Sequence, residues 1–121
     1  MTDAQVESLG QVGTLELNGL PSITDAQAEG LGQVERLSLN GLTSMTDVRA
    51  EGLGQVVGRL SLNGVTSITD TQAESLGQVR ILYLDGLTSI SDTQAEPLRK
   101  VEIISLNGLK SITDAQAESL G

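Results

Sequence analysis

The chain has 121 residues, the length of one ordinary domain, of which 38% are hydrophobic, with no Phe, no Trp and one tyrosine, Tyr83. Seven Lys plus Arg against sixteen Asp plus Glu leave a formal charge of −9, a surface that repels phosphate backbones and anionic lipid and so argues against nucleic acid and membrane as partners. The sequence has no Cys and no His, so it lacks a disulfide framework, a thiol nucleophile and the commonest metal ligand and general base.

Residues 1–10 carry neither the basic nor the apolar region of a signal peptide, and no apolar run approaches the length of a bilayer span. The compartment is left open by this, with the cytoplasm favoured. From Thr2 onward the chain repeats itself. The Thr/Ser-Asp dipeptide places Asp at positions 3, 25, 47, 70, 92 and 114, in steps of 22, 22, 23, 22 and 22. The sequence therefore divides into repeats 2–23, 24–45, 46–68, 69–90 and 91–112 and a partial unit 113–121, all within a single domain 1–121.

The unit Thr24–Met45 reads TDAQAEGLGQVERLSLNGLTSM and shows two periods. Thr24-Asp25-Ala26-Gln27 has the form of a capping box ahead of Ala28 and Leu31 on one helical face, and Gly32 is expected to stop a helix of about two turns, too short to survive without packing. Val34-x-x-Leu37-x-Leu39 then alternates like a strand with one buried face, and Asn40-Gly41 follows as a turn signal. In the next unit the 23-residue step comes from an extra residue in Val56-Val57-Gly58, ahead of Leu60. The fourth unit carries Arg80, Ile81 and Tyr83. In the fifth, Pro97-Leu98-Arg99-Lys100 replaces Ser-Leu-Gly-Gln; Pro97 should distort the helix, and Arg99-Lys100 is an adjacent positive pair. The last unit, Thr113–Gly121, reads like interior sequence, as does Thr2–Gly10, so neither end carries a polar cap. Bare ends make homo-oligomerisation through terminal repeats one expectation. Without aromatic rings the core must be built from thin layers of Leu, Ile, Val and Ala.

The string Leu37-x-Leu39-Asn40-Gly41-Leu42-Thr43-Ser44-Met45-Thr46-Asp47, matched in every full repeat, resembles the LxLxxCxxITD core of cysteine-containing, F-box-type leucine-rich repeats and of bacterial repeats with an ITD step. Leu20, Leu42, Val65, Leu87 and Leu109 stand where that family usually has Cys, the helical half is shorter, and no F-box segment precedes the repeats, so substrate recruitment to a ubiquitin ligase does not carry over. The resemblance implies an α/β solenoid: a right-handed superhelix with an inner parallel β-sheet, short outer helices and a concave face used for binding protein. A right-handed β-helix is the weaker rival, since Thr-x-x-Gln and Ala-x-x-Leu suit a helix.

Side chains alternate across a strand, so three columns should lie beside the buried leucines: Thr14, Arg36, Arg59, Ile81, Ile103; Glu16, Ser38, Ser61, Tyr83, Ser105; and Asn18, Asn40, Asn63, Asp85, Asn107. Interface hot spots favour Tyr and Arg among smaller neighbours, which singles out Arg36, Arg59, Arg80, Ile81, Tyr83 and Ile103 as the candidate partner-binding surface. Five strands expose about 350–400 Å², against about 800 Å² per partner in a standard interface. The Asn column reads as structural, through tight turns and amides that can bond between coils. The Asp column could in principle gather calcium, but a first-turn carboxylate beside a helix dipole accounts for it better. No spacing joins the Ser, Thr, carboxylate and Lys side chains into a nucleophile and base. The expectation is a non-catalytic protein–protein interaction module with no cofactor and no metal; the alternative is a structural spacer or self-assembling repeat array without a specific ligand.

Overall fold

The computed structural model describes residues 3–9 and 12–120. Thr2, Gly10 and Gly121, named above as bounds of the terminal units, lie outside the described residues, as do Met1 and Gln11. Helices and strands alternate along the chain: α1 (Asp3–Leu9), β1 (Thr14–Glu16), α2 (Asp25–Leu31), β2 (Arg36–Ser38), α3 (Asp47–Leu53), β3 (Arg59–Ser61), α4 (Asp70–Leu76), β4 (Ile81–Tyr83), α5 (Asp92–Leu98), β5 (Ile103–Ser105) and α6 (Asp114–Leu120). All five strands form one open parallel sheet in the order β1-β2-β3-β4-β5. The chain is thus an α/β solenoid of about 22 residues per coil, each strand lying beside the next and each helix packing on its neighbour.

Capping explains why two turns of helix form at all. Thr24 sits in extended backbone, its hydroxyl accepts the Gln27 N–H at 3.1 Å, and its own N–H donates to Gln27 Oε1 at 2.9 Å. The same reciprocal pair recurs at Thr69 with Gln72, Ser91 with Gln94 and Thr113 with Gln116. The glutamine also ties coils together: Nε2 of Gln72, Gln94 and Gln116 donates to the carbonyls of Met45, Ile68 and Ile90 in the preceding coil, at 2.8, 2.8 and 2.6 Å. Next to the cap, Asp47 and Asp92 accept the hydroxyl hydrogens of Thr69 and Thr113, one coil on, at 2.8 and 2.7 Å. The Thr-Asp-x-Gln string is therefore a cap and a coil-to-coil clamp at once.

The core is aliphatic throughout. Leu37, Leu39, Leu42, Leu60, Leu62, Val65, Leu82, Leu84 and Leu87 are at most 1% exposed, and Ala28, Ala50, Ala73 and Ala95 are fully covered. Coils this thin leave no room for a Cβ at two recurrent glycines. At Gly41, Gly64, Gly86 and Gly108 an added Cβ would be driven into the carbonyl of the Asn or Asp one coil earlier. At Gly32, Gly54 and Gly77 it would strike a carbonyl of the following helix. No residue, glycine included, has positive φ among the described residues. The Asn-Gly pairs do form turns, as in Leu42 N–H to Leu39 O at 3.1 Å, yet glycine is needed there for close stacking and not for left-handed backbone. The same holds at the helix ends, where Gly32 is a right-handed C-cap with φ −63°.

Two expectations are corrected. Pro97 does not distort its helix: α5 spans seven residues like its neighbours, and the C-cap Arg99 has φ −63° and ψ −18°, close to the −64° and −9° of Gly77. The ring stands one residue from the helix end, where it removes a single donor. The strand, expected over Val34 to Leu39, is confined to Arg36–Ser38. The extra residue of the third coil is absorbed just before β3: Val57 is 69% exposed, the N–H groups of Gly58 and Arg59 both donate to Glu35 O, and the register Arg36↔Arg59 is kept.

Candidate functional site

The middle side chain of each inner strand is buried, as the covered Leu37, Leu60 and Leu82 show, and alternation turns the first and third away from the core. Parallel pairing brings Arg36, Arg59, Ile81 and Ile103 into one column, with Thr14 at its head. The same register sets Tyr83 between Ser61 and Ser105 in a second column. Arg36 is exposed, Arg59, Ile81 and Tyr83 are half-buried, and Ile103 is 53% exposed.

The second column is uneven. Ser61 is 7% exposed, and together with Ser38 it lies in a depression lined by Glu16, Arg59, Asn63, Tyr83 and Asp85. Three strand spacings of about 4.8 Å separate Glu16 from Tyr83, so the carboxylate and the phenol stand at opposite ends over small serines, with the Arg59 column along one side.

The third column is committed to holding coils together. Oδ1 of Asn18, Asn40, Asn63 and Asp85 accepts the backbone N–H of residue 40, 63, 85 and 107, at 3.0, 2.9, 2.9 and 2.9 Å. Where the second column has serine, the same oxygen also accepts its hydroxyl: Ser38 on Asn18 at 2.6 Å, Ser61 on Asn40 at 2.7 Å, Ser105 on Asp85 at 2.5 Å. The link to the next coil needs only an acceptor oxygen, which Asp85 supplies; the amides of Asn40 and Asn107 also donate to Ser38 and Ser105 of their own coils at 3.3 Å, and Tyr83 stands in the place of that serine before Asp85. Tyr83 breaks the pattern: Asn63 Oδ1 receives the Asp85 N–H without a serine hydroxyl beside it.

Of the six residues singled out from sequence, five share this face. Arg80 does not join the column. It precedes β4, in the position that Glu35 and Glu102 hold in other coils, and its Nε meets Glu102 Oε2 at 2.7 Å with both side chains well exposed. The hydrogen bond from Arg80, and then its charge, hold the Glu102 carboxyl below its ordinary range, and the reciprocal bond raises Arg80. A second ion pair was not among the sequence expectations. Arg49 stands where other coils have the capping glutamine, its Nε meets Asp25 Oδ1 of the preceding coil at 2.9 Å, and the cap keeps only the Thr46 half of its box. The string Thr46-Asp47-Val48-Arg49, against Thr-Asp-x-Gln elsewhere, carries that signal.

Arg36, Arg59, Ile81, Tyr83 and Ile103 make no side-chain hydrogen bond or ion pair among the described residues. No group of three or more acidic side chains is placed to hold a metal among the described residues, and no helix there is long and apolar enough to cross a membrane. No family model, curated protein or solved structure matches the chain.

Proposed function

We propose that this chain is a non-catalytic protein-binding module of the leucine-rich-repeat type, which contacts its partner through the outward face of its parallel sheet. One observation carries the reading. In the same coils, the third column is bonded from coil to coil while the first column and Tyr83 are chemically varied and have no polar side-chain partner among the described residues. Arg and Tyr side chains held on a rigid scaffold without internal work are the composition of interface hot spots. The test is selection of binders from a displayed library of random 12-residue peptides, with the enriched peptides remeasured on substituted proteins. Loss of binding on Tyr83→Ser or Arg59→Ala, with none on the helix-side Glu51→Ala and Glu74→Ala, supports the reading; peptides indifferent to every sheet-face substitution overturn it.

A second reading, self-association of coils into a longer array, is supported by the terminal coils. Ile112 is 52% exposed where Ile23, Ile68 and Ile90 are at most 8%, and Ile104, Leu106 and Leu109 are only partly covered. Light scattering across a concentration range separates the two: a mass that grows with concentration favours the array, and a constant monomer mass sets it aside.

A further inference from the structure

We infer that the sheet face is built for an acidic–apolar segment of a partner protein, with a carboxylate seated over β2 and β3 and an aliphatic or aromatic side chain over β4 and β5. This rests on the proposal that the sheet face is the binding surface, and adds the chemistry of what it takes.

The distribution of positive charge is the first support. The chain has seven Lys and Arg residues against sixteen acids. Arg49 and Arg80 are consumed in ion pairs. Arg36 and Arg59 are direct register neighbours, about 4.8 Å apart across the sheet, and neither is ion-paired among the described residues. Like charges placed directly opposite on a sheet repel, and this pair has no acid within ion-pair distance among the described residues. Glu16 and Asp85 line the same depression as Arg59, but neither pairs with it, and Asp85 Oδ1 already accepts from Ser105 and Asn107. A carboxylate from outside would relieve the repulsion and offer the forked geometry that guanidinium groups bind best.

The column then changes character. Ile81 and Ile103 continue it over β4 and β5, and Tyr83 stands on the same strand as Ile81, between neighbouring serines. Two strand spacings, about 10 Å, separate the middle of the arginine pair from the middle of the isoleucine pair. A ligand read by both halves carries an acidic and an apolar side chain that far apart. Nucleic acid satisfies only the first half, since the isoleucines offer nothing to a phosphate backbone. The aromatic ring and the isoleucines supply the apolar contact that an isolated exposed ion pair would lack.

The experiment reads the chemistry of the selected 12-residue peptides, not only their location. Tyr83 is the sole aromatic residue, so its fluorescence reports binding of any selected peptide that lacks Tyr and Trp. The expected result is enrichment of peptides pairing Asp or Glu with Leu, Ile or Phe, bound at least roughly ten-fold more weakly by Arg36→Ala/Arg59→Ala and by Ile81→Ser/Ile103→Ser. Added salt should weaken binding to the unsubstituted protein and have little effect on the Arg36→Ala/Arg59→Ala variant. The charge-reversed Arg36→Glu/Arg59→Glu protein, checked for its fold by circular dichroism, should select basic peptides instead. Enriched peptides without acidic residues, or acidic ones that bind the Arg36→Ala/Arg59→Ala protein equally well, overturn this inference; if such peptides are still lost on Tyr83→Ser, the sheet-face reading survives it. Peptides that ignore Tyr83, Arg59 and the isoleucines alike sink both.

Discussion

Two columns that run across the same five coils differ in what they do. The column from Asn18 to Asn107 is nearly invariant, and each of its oxygens from Asn18 to Asp85 holds the backbone of the next coil. The column from Thr14 to Ile103, four residues earlier in every coil, runs Thr, Arg, Arg, Ile, Ile, and its arginines and isoleucines have no polar side-chain partner within the described residues. Repetition in this protein follows mechanical need: a residue recurs where it stitches coils together, and varies where the fold asks nothing of it. That contrast locates the candidate surface more firmly than residue type alone.

Substitutions in the core and in the two columns should differ widely in cost. Leu82→Ala empties a fully buried layer and should lower unfolding free energy by about 2–5 kcal/mol in urea titration. Gly64→Ala drives a methyl into the carbonyls of Asn40 and Leu42; calorimetry should show a loss of about 2–3 kcal/mol, the cost of overpacking against backbone that cannot step aside. Asn63→Ala strips the Asp85 N–H of its acceptor and should cost about 1–2 kcal/mol, whereas Asn63→Asp keeps the oxygen and should cost clearly less. On the other column, Arg36→Ala or Arg59→Ala should change stability by no more than about 0.5 kcal/mol.

The smallest effect lies at the exposed Arg80–Glu102 pair. Glu102's carboxyl is lowered in the folded protein by the hydrogen bond and charge of Arg80, so its contribution is present above the unfolded carboxylate range and fades as pH falls through the lowered folded value. Arg80→Ala should remove that slight acid dependence of the melting temperature, and the pair's exposure keeps the shift small.

The solenoid itself was legible because its signals repeat: the Asp spacing set the coil length, the Leu-x-Leu alternation set the strands, and Thr-x-x-Gln set the caps, so agreement among coils compensated for the weakness of each. Less legible was the reason behind a residue. Asn-Gly reads as a turn, which it forms, yet the glycine also answers to a carbonyl one coil away, a contact no local window contains. Pro97 reads as a distortion of its helix, yet its place at the helix end makes it tolerable. Arg80 reads as part of the face because it adjoins Ile81; the strand starts at Ile81, so the arginine falls outside the column. The clamp linking Asp to the next coil's hydroxyl, and the ion pair that replaces glutamine at Arg49, depend on residues a whole coil apart.

The most direct test of this contrast sets two variants side by side in urea unfolding: Arg36→Ala/Arg59→Ala/Tyr83→Ser, which clears the face, and Asn40→Ala/Asn63→Ala, which cuts the ladder. The first should keep its unfolding free energy within about 1 kcal/mol while the second loses about 2–4 kcal/mol. A face-cleared protein destabilised as much as the ladder-cut one would show that Arg36, Arg59 and Tyr83 serve the fold, and would contradict their assignment as a free surface for a partner.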